Sequence, residues 1–322
     1  MANNTLVELK HVVKEFPVSA TSLLRSKQAV HAVSDVSLSI EEGETFALVG
    51  ESGCGKSTLG RLMLGLLPLT AGEVRFDGKP ITGLKGREMH ALRRQMQIIF
   101  QDPYASLNPR MSIRNIVAEP LITHKICSDK SEIDRRVSEL LLKVGIRPQL
   151  MSRFPHQFSG GQRQRVGIAR ALALSPRLIV CDEPVSALDV SIQSQILNLL
   201  GDLQREMGLT YLFISHDLSV VRYLSDRVCV MFLGKVCELG VTRDIFEAPL
   251  HPYTRFLLEA VPKPDPRARR EKAVLVGEIP SPVNPPLGCR FHTRCPEAKE
   301  ICGQKEPPLC SIDGRQVACH MV

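Results

Sequence analysis

The sequence predicts an α/β fold with a helical insertion, because strand-length apolar runs alternate with helix-length segments along most of its 322 residues. Near-continuous apolar runs such as LIVC (178–181) are typical of central parallel strands, which are covered on both faces. The alternation is interrupted at about 106–175, where no strand-like run occurs. These features together favour a strand–helix core that carries an inserted helical subdomain.

The individual elements follow from the same patterns. Six strands are predicted, at VELKHVV (7–13), FALV (46–49), MQIIF (96–100), LIVCD (178–182), YLFI (211–214) and RVCVMF (227–232). Four helices are predicted between them, at 57–66, 131–144, 160–174 and 191–207. From 262 to 286, seven prolines and the basic run RARREK favour an extended arm over a core segment. We therefore expect one domain over 1–261 and an appendage over 262–322.

Composition excludes several classes of protein. With 43% hydrophobic and 23% charged residues, the chain is neither disordered nor collagen-like nor a coiled coil. It contains no apolar run of 18 residues, and its first residues show no secretory signal, so we expect it in the cytosol. A net charge of +7 suits a solvated surface as well as an anionic ligand. No Lys/Arg block suggests a nucleic-acid-binding arm, and with no Trp and only four Tyr the sequence argues against nucleic acid as a partner.

A phosphate-binding loop is the first chemical motif. GESGCGKS (50–57) matches G-x-x-x-x-G-K-S, follows a predicted strand and precedes a predicted helix. Such a loop wraps phosphate oxygens in backbone N–H groups, its lysine reaches the β- and γ-phosphates, and its serine binds Mg²⁺. A plain Gly-rich turn is the alternative. The candidate nucleotide-binding residues are Gly50, Glu51, Ser52, Gly53, Cys54, Gly55, Lys56, Ser57 and Thr58.

A pair of carboxylates supplies the second half of such a nucleotide-binding site. Asp182 ends the apolar run LIVCD, and Glu183 follows it. At the end of a strand, adjacent side chains point to opposite faces, so the two carboxylates can take different roles. We expect Asp182 to hold Mg²⁺ and Glu183 to polarise the attacking water as general base. An apolar run followed by Asp-Glu is a weak signal alone, and the upstream phosphate loop strengthens it.

The segment FSGGQRQRVGIARAL (158–172) places Ser159 and two glycines at a helix start, which is a second anion-binding turn. It resembles the signature motif of the ATP-binding subunits of ABC transporters, with Phe158 in place of the usual Leu. The resemblance implies an ABC-type nucleotide-binding domain over 1–261, with the helical subdomain inside it. It also implies that the signature turn contacts ATP through the residues Ser159, Gly160, Gly161 and Gln162.

Further positions match the same family. The resemblance makes Gln101 the hinge glutamine that senses Mg²⁺ and water, and Asp189 part of a loop at the dimer interface. His216 resembles the switch histidine that contacts the γ-phosphate. Phe16 is the candidate for the aromatic ring that stacks on adenine, with a core position as the alternative. The phrases FQDPYASLNPR, EPVSALDVS and HPYTRFLLEAVP resemble the F-type ATP-binding subunits of dipeptide and oligopeptide importers.

Five of the ten cysteines lie in the last 34 residues, at spacings unlike those of zinc knuckles. Four thiolates can hold a [4Fe–4S] cluster without regular spacing, and the importer family carries a similar tail. The resemblance implies a ligand set of Cys289, Cys295, Cys302 and Cys319, with Cys310 spare. Zinc with His292 or His320, and thiols without metal, remain alternatives. Cys54 is either an oxidation sensor or a tolerated small residue.

The resemblance also implies partners and location. Two ATP-binding subunits would enclose two ATP molecules head to tail, and we expect a heterodimer with a paralogous subunit, although a homodimer is not excluded. Two membrane-spanning permease subunits, and indirectly an extracytoplasmic solute-binding protein, would complete the importer. The expected location is peripheral, on the cytoplasmic face of the inner membrane. Other cargo (nickel, glutathione or an opine-like solute), a soluble ABC-type ATPase and a P-loop kinase are the alternatives.

Overall fold

The computed structural model describes residues 4–18, 28–261 and 277–322. The chain divides into two compact units, which we call unit 1 (1–82 with 215–322) and unit 2 (83–214). The Pro-rich arm predicted from 262 onward begins with 262–276, which lie outside the described residues, as does RARREK. The domain boundary between 261 and 262 therefore stays a prediction. No helix in the described parts of the chain has the length and apolar character needed to cross a bilayer.

The strands, in chain order, are β1 (Thr5–Pro17), β2 (Ala29–Glu41), β3 (Thr45–Val49), β4 (Ala71–Phe76), β5 (Lys79–Pro80), β6 (Met96–Ile99), β7 (Leu178–Asp182), β8 (Thr210–Ile214), β9 (Arg227–Phe232), β10 (Lys235–Val241), β11 (Cys310–Ile312) and β12 (Arg315–Val317). The helices are α1 (Lys56–Met63), α2 (Gly86–Gln95), α3 (Ile113–Thr123), α4 (Lys130–Lys143), α5 (Gly160–Leu172), α6 (Val190–Met207), α7 (Leu218–Leu224), α8 (Thr242–Glu247), α9 (Pro252–Glu259) and α10 (Glu300–Gln304).

Unit 1 contains two groups of strands. The first is antiparallel, in the order β2-β1-β4-β5. The second runs β11-β12-β10-β9-β3, with β3 parallel to β9 and the other neighbours antiparallel. Its core includes Phe232, Tyr253 and Phe291, whose rings pack together with centroids 4.9 to 5.4 Å apart. Because Phe291 and β12 both belong to the C-terminal segment, the described part of that segment is built into the core of unit 1.

Unit 2 contains the parallel strands β8-β7-β6. Every residue of the central strand β7 is buried, as its continuous apolar sequence predicts. Residues 106–175 form α3, α4, α5 and two short 3₁₀ turns, with no strand. The α4 helix is capped at its N-terminus by Asp129, whose side chain accepts a hydrogen bond from the backbone N–H of Glu132 (3.0 Å). The predicted α/β fold is confirmed.

Each of the six predicted strands and four predicted helices occurs, with ends shifted by a few residues. The sequence reasoning missed several elements, above all the partner strand β2 and strands β10 and β12. In β2 the pairing register with β1 shifts at several points, such as between Leu9 and Val12, so the alternation of buried and exposed side chains is irregular. An irregular alternation is a weak strand signal.

Candidate functional site

The predicted phosphate loop follows β3 and leads directly into α1, within unit 1. Gly50 and Gly55 have φ values of 147° and 102°. A Cβ atom on Gly50 would lie 2.1 Å from the backbone oxygen of Met231, and one on Gly55 would lie 2.1 Å from that of Ala32. A side chain at either position would collide with backbone, so both close approaches require glycine. The glycines of the motif therefore fix the course of the loop.

Lys56 lies inside this loop and is 5% exposed. Its Nζ donates hydrogen bonds to the backbone oxygens of Gly50 (2.7 Å) and Glu51 (3.0 Å), which stabilise the buried ammonium. Ser57 and Thr58 follow in the first turn of α1 and are half-buried. Burial raises the pKa of the Cys54 thiol, with Lys56 opposing it. A neutral thiol is a poor nucleophile, so the structure favours Cys54 as a tolerated small residue over an oxidation sensor.

His216 is exposed in the segment that precedes α7, also in unit 1. The backbone N–H of Ser215 donates to the backbone oxygen of Leu48 in β3 (3.2 Å). On the other side, the carboxylate of Asp217 caps α7 by accepting from the N–H of Ser219 (2.8 Å). The first contact holds the segment of His216 against the strand that leads into the phosphate loop, and the second fixes its junction with α7.

Phe16 lies near the end of β1, opposite Val30 in β2. It is half-buried, whereas Val12, four residues earlier on the same strand, is fully buried. The ammonium of Lys14 lies 4.9 Å from the centroid of the ring. Phe16 is therefore outside the fully buried core, and its role in stacking on adenine stays a prediction.

In unit 2 the structure brings Gln101 and Glu183 together. Gln101 follows β6, Glu183 follows β7, and these strands are parallel neighbours, so their carboxyl ends meet at one edge. The Nε2 of Gln101 donates to Oε2 of Glu183 (2.9 Å). Glu183 has a φ of 48°, a left-handed conformation that costs a non-glycine residue about 1–3 kcal/mol and is common at active sites. Asp182, one residue earlier, is buried at the end of β7.

The predicted signature turn is the start of α5. Ser159 is its N-cap and forms a capping box with Gln162, in which each side chain bonds to the backbone N–H of the other residue. A Cβ atom on Gly161 would lie 2.4 Å from Cγ2 of Ile192 in α6, so the two helices approach closely here. Ser159 and Gln162 are exposed, and Gly160 is half-buried. The turn thus presents the start of a helix to solvent.

Asp189 is exposed at the N-cap of α6. Its neighbour Leu188 approaches the signature turn, because a Cβ atom on Gly160 would lie 3.3 Å from Cδ2 of Leu188. Val190, on the other side of Asp189, is 78% exposed. The signature turn and the loop of Asp189 therefore form one exposed surface of unit 2.

The predicted iron–sulfur cluster on Cys289, Cys295, Cys302 and Cys319 is wrong. The described residues, which include all ten cysteines, contain no group of three or more His, Cys, Asp or Glu that could hold a metal ion. Burial raises the pKa of Cys289 to about 11 and also raises the pKa of Cys295 and of Cys319. Burial therefore favours neutral thiols over the thiolates that metals require. The same finding removes the zinc alternative, and all ten cysteines are free thiols.

Two residues with contacts to the phosphate loop were missed by the sequence reasoning. Tyr253 and Arg294 both bond to Glu51. Tyr253 lies in HPYTRFLLEAVP, one of the phrases that carry the family resemblance, and that phrase is the signal that could have found it. Arg294 lies 243 positions from Glu51 and belongs to no motif, so nothing in the sequence marks its contact.

Comparisons with known proteins place the chain among transport ATPases. Residues 33–186 match the family model described as ABC transporter, and residues 237–302 match that of the oligopeptide/dipeptide transporter, C-terminal region. The oligopeptide transport ATP-binding protein AppF of Bacillus subtilis is 52% identical over 98% of this chain and 97% of its own length. The oligopeptide transport ATP-binding protein OppF of Escherichia coli is 54% identical over 92% of this chain and 89% of its own length.

Solved structures of ATP-binding cassettes also resemble this chain. The ATP-binding cassette MJ0796, in a dimeric post-hydrolysis state bound to ADP and Pi, has a TM-score of 0.66 at 32% identity and covers 74% of this chain and 99% of its own. CbiO1 of Clostridium perfringens, part of the ABC transporter complex cbiONQ, has a TM-score of 0.65 at 30% identity and covers 76% and 92%. The chain therefore belongs to the ATP-binding subunits of ABC transporters, in the oligopeptide/dipeptide transporter family.

Proposed function

We propose that this chain binds and hydrolyses ATP to power a binding-protein-dependent importer of di- or oligopeptides. One observation supports peptides as the cargo. Relatives named oligopeptide transport ATP-binding proteins align with nearly the whole chain, including the C-terminal region. The ATPase activity itself is that of the family to which the chain belongs. We assign the residues of the site to roles in that activity.

The phosphate loop of unit 1 binds the nucleotide. Backbone N–H groups of residues 50–57 and the start of α1 surround the phosphates, and Lys56 turns its ammonium from the loop carbonyls to the β- and γ-phosphates. Phe16 stacks on adenine, which its half-buried ring permits. His216, held beside β3 through Ser215, contacts the γ-phosphate.

The catalytic carboxylate is Glu183, which accepts the proton of the attacking water. Gln101 orients it by donating to Oε2. The strained backbone at Glu183 supports the assignment, because strain of this kind persists where the surrounding structure imposes a functional geometry.

Ser57, Asp182 and Gln101 are the residues that would hold Mg²⁺. They supply a hydroxyl, a carboxylate and an amide oxygen, which is the hard oxygen donor set that Mg²⁺ prefers. Gln101 uses its Nε2 to bond Glu183, which leaves its Oε1 as the atom suited to a cation. When bound, Mg²⁺ neutralises charge that develops on the β- and γ-phosphate oxygens.

The signature turn acts on ATP held by a second ATP-binding subunit. Ser159, Gly160, Gly161 and Gln162 form an exposed helix start suited to phosphate, and Asp189 lies beside it on the same surface. The dimeric state named for MJ0796 supports a two-subunit arrangement. We assign the second subunit to a paralogous chain. ATP-driven closure of such a dimer follows from the γ-phosphate binding both halves.

ABC transporter ATP-binding subunits work peripherally with membrane permease components. For this chain we propose two permease subunits, an extracytoplasmic solute-binding protein that acts through them, and a position on the cytoplasmic face of the inner membrane. The cargo pocket would then lie in those partners, so the cargo is tested with the whole transporter.

Uptake of a radiolabelled dipeptide tests the proposal. Cells lacking this chain receive the native chain, Lys56→Ala, or the exposed-lysine control Lys79→Ala. We expect uptake with the native chain and the control but not with Lys56→Ala. Uptake that does not depend on the chain would overturn the peptide cargo. Equal uptake with Lys56→Ala would overturn the assignment of the phosphate loop.

A further inference from the structure

The phosphate-loop residue Glu51 is held by two residues that lie more than 200 positions away in the sequence. Its backbone N–H donates to Oη of Tyr253 (2.9 Å). Its carboxylate accepts two hydrogen bonds from Arg294, Nη1 to Oε2 (2.7 Å) and Nη2 to Oε1 (3.1 Å). All three residues belong to unit 1. One loop residue is therefore fixed both by its backbone and by its side chain.

The pair of Arg294 and Glu51 is partly withdrawn from water. The side chain of Arg294 is 7% exposed and that of Glu51 is 22% exposed. Two parallel charge-assisted hydrogen bonds define the orientation of the carboxylate as well as its position. Removing one partner of such a pair leaves the other charge poorly compensated. The contact is therefore strong enough to restrain the loop.

Tyr253 is itself rigidly placed. It is fully buried, its ring packs on Phe232 and Phe291, and its backbone N–H donates to Nδ1 of His251 (3.0 Å). The backbone N–H of His251 in turn donates to the buried carboxylate of Glu238 in β10 (3.0 Å). A continuous series of hydrogen bonds thus leads from the sheet of unit 1 to the phosphate loop.

Glu51 matters to the loop because its backbone oxygen accepts bonds from two other loop residues. Lys56 donates to it from Nζ (3.0 Å), and Cys54 donates to it from its backbone N–H (3.3 Å). A change in the orientation of Glu51 therefore displaces an acceptor of the very lysine that we assign to the phosphates.

We propose that Tyr253 and Arg294 are positioning residues for the phosphate loop, which hold Glu51 and through it Lys56 in the geometry that binds nucleotide. The C-terminal segment that carries Arg294 is thereby required for ATP affinity. This inference rests on the proposed role of the loop in binding ATP. It assigns a function in the ATP site to a segment outside the phosphate loop, the carboxylate pair and the signature turn.

A neighbouring ion pair provides the matched control. Arg255 and Glu297 also form two contacts, Nη1 to Oε1 (2.7 Å) and Nη2 to Oε2 (3.0 Å). Glu297 lies three residues from Arg294, so this pair ties the same segment to α9 without touching the phosphate loop. Glu297→Gln therefore loosens the segment but leaves Glu51 held.

The test is the affinity of the full chain for the fluorescent nucleotide mant-ATP with Mg²⁺. We expect Arg294→Gln to raise Kd about tenfold and Tyr253→Phe about threefold, since each loses hydrogen bonds that act on the loop indirectly. Glu297→Gln should stay within about twofold, because exposed pairs contribute little. In the double variant Glu51→Gln with Arg294→Gln, Kd should match that of Arg294→Gln alone, a non-additivity that general destabilisation does not produce.

Lys56→Ala separates the two proposals. If Lys56→Ala loses affinity for nucleotide while Arg294→Gln keeps it, the positioning role is overturned and the assignment of the phosphate loop to ATP binding is retained. If Lys56→Ala also keeps its affinity for nucleotide, the assignment of the loop fails. If Arg294→Gln does not fold, Arg294→Lys replaces it, since it keeps the charge but loses the paired contact. A severalfold rise in Kd then supports the proposal, and an unchanged Kd overturns it.

Discussion

The Nε2 of Gln101 lies 2.9 Å from Oε2 of Glu183 and donates a hydrogen bond to it. The two residues follow neighbouring parallel strands, so the sheet itself brings the amide to the carboxylate. This contact links Gln101 directly to the residue that we assign as the base.

The first prediction concerns that base. Glu183→Gln should lower the rate of ATP hydrolysis by the complete transporter about 10²- to 10⁴-fold, because an amide cannot accept the proton of the attacking water. Affinity for Mg–ATP should stay within about twofold, since the loop that binds phosphate is unchanged. The control is Glu139→Gln, at an exposed side chain on α4. Turnover at the native rate in Glu183→Gln would remove Glu183 from the mechanism.

The second prediction concerns the close approach of α5 to α6. Gly161→Ala places a methyl group 2.4 Å from Ile192 and should cost about 1–3 kcal/mol of the free energy of unfolding. Gly167→Ala, in the same helix with nothing within 4 Å of its added Cβ, should be stabilising by about 0.5–1 kcal/mol. Urea unfolding of both variants measures the difference. Equal stabilities would mean that the helices can separate at no cost.

The sequence predicts local features of this fold better than contacts between distant segments. Apolar runs and glycine motifs are local, so β3, β7, the phosphate loop and the start of α5 could be located before the structure was known. The contact between Arg294 and Glu51 could not, because it depends on how β10, α9 and the C-terminal segment pack. The iron–sulfur prediction failed for a related reason. The spacing of cysteines along a chain does not determine whether the folded thiols form a ligand set.

The third prediction concerns pH. Burial, with a smaller effect of Arg255, lowers the pKa of His251 to about 4, whereas a hydrogen bond with the backbone of Ala318 acts in the opposite direction. Histidine in the unfolded chain binds a proton near pH 6.5, whereas folded His251 stays neutral down to about pH 4. The free energy of unfolding therefore has its full value above pH 6.5 and falls by roughly 3 kcal/mol as the pH drops to about 4.

His251→Asn isolates this effect, since asparagine keeps a cap acceptor for α9 but does not titrate. Free energies of unfolding are measured for both proteins at pH 7.5 and 4.5. We expect the native chain to lose about 2–3 kcal/mol more than the variant over this interval. An equal loss in both would show that His251 is not buried in its neutral form.

The fourth prediction concerns thiol reactivity. Cys310 is exposed, whereas Cys181 and Cys229 are fully buried and burial raises the pKa of both thiols well above the ordinary value. In the native protein, iodoacetamide should modify Cys310 first and leave Cys181 and Cys229 unmodified until the chain unfolds. Peptide mass mapping at successive times measures the order. Early labelling of Cys181 would contradict the burial of β7.

Peptide accumulation in proteoliposomes shows whether this chain drives peptide uptake by hydrolysing ATP. The complete transporter is reconstituted with the native chain or with Glu183→Gln, and a labelled dipeptide is presented with its solute-binding protein. We expect accumulation with ATP and the native chain, and none with Glu183→Gln although that variant still binds ATP. Accumulation at the same rate with Glu183→Gln would show that hydrolysis by this chain does not drive uptake.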